Sequence, residues 1–206
     1  MSDRGVDPSN AAIPSLLATS GVHHHLVREG NRTQCSLIIE SGEAREVHHM
    51  ALLLGYGAAA INPYLAFETL RSLIEENEII NIDFREAIQS YIKACTKGVL
   101  KVMSKMGISV ISAYRGGCNF ETVVLSRALV SDYFPGMLSR ISGIGITGIE
   151  NKIKSLHKKA YLKDIQVLPI GGIYKYRKSG EDHQFQGQLI HTLQHAVGKG
   201  AYEVYK

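Results

Sequence analysis

Histidine supplies the side chains best suited to chemistry in this sequence, and the densest group is His23-His24-His25. Imidazoles ligate metals and carry protons near neutral pH, so three together invite a metal-binding reading. Helical geometry opposes it, because consecutive residues point about 100° apart and three in a row cannot face one ion. Two roles stay open for His23, His24 and His25: a binding contact, or packing and capping hydrogen bonds by the rings. His48-His49, just after Arg45, fails the same one-face test and reads as a polar helix face or a domain contact. Cys35, Cys95 and Cys118 are widely spaced and lack the local signature of a catalytic Cys/His pair. Buried, reduced thiols are expected.

Gly143-Ile144-Gly145-Ile146-Thr147-Gly148 is a formal GxGxxG, with Asp164 further on. A dinucleotide fingerprint needs a clean apolar strand before its first glycine. Here the motif follows Ser139-Arg140-Ile141-Ser142 after a Phe134-Pro135-Gly136 turn, and a lysine-rich segment comes next, so the nucleotide reading lacks its context. Lys105 and Arg115 are better placed for contacts with an anion or a neighbouring domain. Lys105 has a structural role as well, since its charge suits a helix C-terminus. Asn62 stands at the C-terminal end of an expected strand, but an N-cap role ahead of Pro63 accounts for it.

The elements that must position these residues alternate. Residues 16–19 form a short apolar run, and Ser20 is set to cap a helix ending before Gly30. On this reading His23 to His25 follow the C-terminal end of a strand, the face where sites in (β/α) barrels are built. Residues 35–39 read as a strand covered on both faces. Val47, Met50, Ala51 and Leu54 hold helical spacing within residues 43–54, and Gly55 and Gly57 close that helix. Residues 58–61 form the next buried strand, and a helix over 63–74 buries Leu65, Leu70, Leu73 and Ile74. Such alternation predicts parallel strands with right-handed crossovers, an α/β architecture.

Residues 1–12 read as a loose arm, and the polar residues 75–83 mark a boundary. A long amphipathic helix follows, carrying Ile88, Tyr91, Ile92, Cys95, Val99, Val102, Met103 and Met106 through Gly98 to a stop at Gly107. Then come a strand over 108–113, a short helix over 119–125, and an unassigned stretch over 126–142. A helix near 149–161, a strand over 165–170 and a helix over 188–197 complete the chain.

With 206 residues the chain can hold one sizeable domain or pieces of two. A net charge of +4 is mild, and the basic cluster over 152–163 is most simply a solvated helix face, so no nucleic-acid partner is expected. No apolar run approaches the roughly 18 residues of a membrane span, which predicts no membrane partner. The polar first residues lack the apolar core of a signal peptide, and with the scattered cysteines they predict a cytoplasmic protein.

Three long stretches carry a family resemblance. TSGVHHHLVREG through ESGEAREVHHMALLLGYGAAAINPYLAFETL resembles the end of the central domain of the glutamate synthase large (alpha) subunit. YIKACTKGVLKVMSKMGISVISAYRGGCNFETVVLS resembles the segment that follows, and HTLQHAVGKGAYEVYK the lead-in to the family's FMN-binding barrel. The resemblance implies a fragment of parallel (β/α) units, partly TIM-barrel-like and akin to FMN-linked oxidoreductases. Residues 1–80 would be the C-terminal part of a central-like domain, and residues 81–206 the segment leading into the FMN-binding domain, with the barrel itself absent.

The family forms glutamate from glutamine and 2-oxoglutarate: the amide nitrogen is transferred, and the imine is reduced with electrons arriving through a flavin. Its cysteine nucleophile, FMN barrel and iron–sulfur cysteines lie outside the matched stretches, and the GxGxxG position is a connecting loop in the family. No catalytic residue and no secure flavin ligand therefore carries over. The isolated chain is expected to be inactive and to hold no FMN, iron–sulfur cluster or metal. The implied role is scaffold, keeping the amidotransferase and synthase sites in register and helping to wall the ammonia route. Its partners would be other glutamate synthase fragments or subunits. The alternative is a non-catalytic remnant or stand-alone structural protein.

Overall fold

Leu37–Glu40 (β1) and Ala58–Asn62 (β2) pair in parallel, with Leu37 opposite Ala58 and Ile39 opposite Ile61. Parallel neighbours cannot be joined by a tight turn. Val47–Gly55 (α2) makes the crossing and buries Met50, Ala51 and Leu53. The structure is a computed structural model that describes residues 1–162, 170–173 and 175–206. They divide into two units, Met1–Tyr161 and Leu162–Lys206.

In the larger unit, Ser15–Arg28 (α1) packs against β1, Phe84–Lys105 (α4) packs against α2, and Tyr64–Glu75 (α3) packs against α4. The carboxylate of Asp83 accepts the Glu86 N–H at 2.8 Å, the N-cap bond that starts α4. Gly98 lies mid-helix for a packing reason, because a Cβ there would fall inside the van der Waals envelope of Val47. A first core joins Leu37, Ile39, Leu53, Val99 and Met103 to Tyr114. Tyr114 is fully buried at the end of the short helix Ile111–Tyr114 (α5), and its hydroxyl donates to the Ala51 carbonyl at 3.0 Å.

A second parallel pair, Glu121–Leu125 (β3) and Leu138–Ile144 (β4), is connected through Arg127–Tyr133 (α6), and Ile146–Ala160 (α7) follows it. A second core gathers Leu17, Tyr56, Leu129, Val130 and Phe134, while Leu16 and Phe120 pack against both cores. The smaller unit carries Gly187–Lys199 (α8), ended by Gly200 at φ 61°, and Tyr202–Tyr205 (α9). The fold is mixed α/β with small, two-stranded parallel sheets, and no barrel closes among the described residues.

Several expectations are corrected. Residues 16–19 belong to α1 and not to a strand, since a four-residue apolar run has no period to decide its type. The Glu43 carboxylate takes the Ser15 N–H at 2.6 Å and favours a helix start there. Ser20 is no cap; it is buried in mid-helix and its hydroxyl donates to the Tyr133 carbonyl. The histidine cluster therefore follows no strand end. α2 begins at Val47 because the chain before it is held in a turn: Asp3 accepts from Ser41 Oγ at 2.9 Å and from the Gly42 N–H at 2.8 Å. The arm is consequently not loose. Residues 1–3 run beside β1, with the Asp3 N–H on the Glu40 carbonyl at 3.2 Å.

Residues 119–125 were expected to be helical, but Thr122, Val123 and Val124 are β-branched and β3 forms. The expected strand over 108–113 gives way to α5, because burying Tyr114 sets the local conformation. β1 is covered on one face only, with Ile38 59% exposed, and Leu65, Ile92 and Met106 are also exposed rather than buried. Cys35 and Cys118 are exposed thiols, not buried ones. The expected strand over 165–170 lies, apart from Ile170, outside the described residues.

Candidate functional site

His23, His24 and His25 occupy the second half of α1; the His23 and His24 rings meet edge to face with centroids 4.9 Å apart and are half-buried, while His25 is exposed. Arg32, on a single 3-10 turn after α1, organises this end of the unit. Its Nε donates to His23 Nδ1 at 2.9 Å, one Nη to the Cys35 carbonyl at 2.7 Å, and the other to the Gly57 carbonyl at 2.8 Å. One guanidinium thus ties α1 to the entry of β1 and to the turn before β2. Because Nδ1 accepts, the neutral ring carries its proton on Nε2. Burial, followed by the nearby His24 and Arg32, pulls the His23 pKa down to about 4, and burial followed by Arg28 lowers that of His24.

Gly57 sits at φ 110°, and a Cβ there would run into His23 Nδ1. A Cβ on Gly116 would stand 3.9 Å from His23 Nε2. His23, His24, Tyr56, Gly116, Cys118 and Asn119 line a cavity of about 20 Å³, room for one water at most. Burial, with Cys118 beside it, pushes the Tyr56 hydroxyl up to about 12. Chemically the cluster is a clamp: the basic ring nitrogen is already occupied by Arg32, and the cavity that His23 and His24 line is too small for a substrate.

Neither Asn62 nor Lys105 lines that cavity. Asn62 does not cap α3, whose N-cap is Pro63 with no side-chain bond; its Nδ2 donates to Glu40 Oε1 at 3.1 Å. Ser2 Oγ at 2.6 Å and Arg4 Nε at 2.8 Å also donate to Glu40 and hold its carboxyl below the usual range. Lys105 is exposed in the last turn of α4. Arg115 follows α5, and its Nε is buried without a hydrogen-bond partner among the described residues. His49 Nδ1 accepts the Arg45 N–H at 3.2 Å while Nε2 faces Glu46 at 3.5 Å, a polar helix face.

The GxGxxG segment does join a strand to a helix, contrary to expectation: β4 ends at Ile144 and Gly145 is the N-cap of α7. Packing explains two of its glycines, since a Cβ on Gly143 would strike the Val124 carbonyl and one on Gly148 would press on Ile144. Asp164 lies outside the described residues. Sequence reasoning missed Arg32 and the steric demand on Gly57. Arg32 sits in a polar connection with no spacing signal, and Gly57 looked like a helix stop alone. Among the described residues, no three His, Cys, Asp or Glu side chains converge to hold a metal ion, and no helix is long and apolar enough to cross a membrane.

A family model for the glutamate synthase central domain matches residues 1–126, more than half of the 206 residues. The chain belongs to the glutamate synthase large-chain family. Over its whole length it is 46% identical to the glutamate synthase [NADPH] large chain of Azospirillum brasilense. It is 45% identical to that of Bacillus subtilis, also over its whole length. A ferredoxin-dependent glutamate synthase 2 from Synechocystis is 37% identical over 93% of the chain, covering 13% of that protein. The chain spans 14% of the length of both NADPH large chains.

Proposed function

We propose that this chain forms the scaffold stretch of a glutamate synthase large chain, in which glutamate is made from glutamine and 2-oxoglutarate. The observation that carries the reading is the alignment of all of this chain to one 14% stretch of the large chain of Azospirillum brasilense. Residues 1–126 carry the central-domain match, which runs past the boundary expected at residue 80, and the residues after them lead toward the FMN-binding domain. The two open sheets are pieces of a partial, barrel-like (β/α) array that neighbouring segments complete. Val123 and Ile141, 60% and 59% exposed, support this, because apolar strand faces of that kind call for a cover. The stretch holds the amidotransferase and synthase sites in register and walls part of the ammonia route in a cytoplasmic enzyme. FMN and the iron–sulfur cluster are bound by other parts of that enzyme.

The experiment is complementation. An Azospirillum brasilense large chain lacking the homologous stretch is co-expressed with this chain, and assembly and glutamate formation are measured. Co-elution with restored turnover is the expected result. Turnover by this chain alone, or failure of the two pieces to co-elute, would refute the reading.

A further inference from the structure

We propose that an acidic amphipathic helix from the remainder of a glutamate synthase large chain seats in the apolar groove along α4. The inference rests on the scaffold reading and goes beyond it by naming the surface and the chemistry of its occupant. The groove holds about 660 Å³, and its wall includes Leu54, Ile61, Phe67, Tyr91, Val99 and Met103. It follows α4 from Tyr91 to Met103, roughly 18 Å at 1.5 Å per residue, which is a trough of helix length. Ile92, Leu100 and Val110 also line it, yet stay 48%, 57% and 54% exposed. Three large apolar side chains left in water along one groove mark a surface made to be covered.

Charge selects the occupant. Between Glu86 and Glu121 the sequence contains no acidic residue, while Lys93, Lys97, Lys101 and Lys105 recur at every fourth position. All four are exposed, and none forms an ion pair among the described residues. On the helical wheel Lys93 falls about 20° from Leu100 and Lys97 comes next around, so both flank the outer rim of the groove. An occupant with an apolar stripe bordered by carboxylates satisfies the groove and its rim together.

The test places a photo-cross-linking phenylalanine analogue at Leu100, and separately at exposed Val27 on α1, during co-expression with the truncated Azospirillum brasilense large chain. The Leu100 probe is expected to capture one segment of that chain with apolar residues at helical spacing beside at least two carboxylates. Lys93→Glu with Lys97→Glu should cut that yield roughly tenfold, because like charges then meet at the rim, whereas Lys154→Glu leaves it unchanged. Co-elution without this cross-link overturns the docking site and leaves the scaffold reading standing. So does capture of a second copy of this chain, of lipid or of a segment without acids, or a yield indifferent to charge reversal. Failure to co-elute overturns both.

Discussion

Replacing Gly57 with alanine separates backbone strain from the His23–Arg32 clamp. Gly57 stands at φ 110°, where an alanine costs about 1–2 kcal/mol in conformational strain. Its Cβ would also collide with His23 Nδ1, forcing the ring away from Arg32 Nε, now 2.9 Å distant. Losing that charge-assisted bond adds about 1.5–3 kcal/mol, for a total near 3–5 kcal/mol. Gly30→Ala is the control: its φ is 71°, but a Cβ there meets nothing within 4 Å, so only strain remains. Urea denaturation at pH 7.5, followed by far-ultraviolet circular dichroism, reads both variants. With a slope of about 2 kcal/mol/M, the two midpoints should differ by roughly 1 M. In a His23→Ala background the Gly57→Ala penalty should shrink to the strain term alone, a coupling measurable by a double-mutant cycle. If Gly57→Ala is no worse than Gly30→Ala, the clamp argument is wrong.

Gly98→Ala should destabilise by about 1–3 kcal/mol despite the better helix propensity of alanine, because the new methyl presses on Val47; Val47→Ala in the same chain should restore a net gain. A stabilised single variant in thermal melts would contradict this. Tyr114→Phe removes the bond to the Ala51 carbonyl from a fully buried site and should cost about 1–3 kcal/mol in urea, whereas a neutral result would mean the carbonyl finds another donor. His23 is held neutral, with its pKa lowered to about 4 against an unfolded value of about 6.5, so the unfolded chain binds the proton more readily. Its contribution is complete above pH 6.5 and is lost as pH falls toward 4. The urea midpoint should therefore drop across that window less steeply in His23→Gln, and parallel profiles would count against the assignment.

α4 was readable because a steady apolar period from Ile88 to Met106 and a glycine exit at Gly107 agree, while the Asp83 cap emerged only from the structure. β1, α2 and β2 were readable for the same reason, since pattern and punctuation coincide. Where only a short apolar run was available, period could not choose between helix and strand, as residues 16–19 show. In residues 119–125 the β-branched Thr122, Val123 and Val124 carried the signal, and branching outweighs a doubtful helical spacing there. The geometric limit on the three histidines could be read from their adjacency. Their partner could not, because Arg32 reaches His23 only after the chain turns back at Gly30, and the collision that makes Gly57 obligatory exists only between two folded segments.

The hydrogen bond from Ser20 to the Tyr133 carbonyl spans 113 residues, and Leu17 shares the second core with Leu129, Val130 and Phe134. The buried residues of the first core all lie between Leu37 and Tyr114, with Leu16 and Leu26 of α1 and Phe120 packed against its side. During vectorial synthesis, therefore, the sheet of β1 and β2 with its two long helices can close while α1 still has no seat for its other side. α1 waits for residues near 130 to leave the ribosome tunnel, so high contact order is concentrated in one helix. A nascent chain stalled before α6 would present Leu17 and Tyr56 to chaperones, and release past Phe134 would withdraw them.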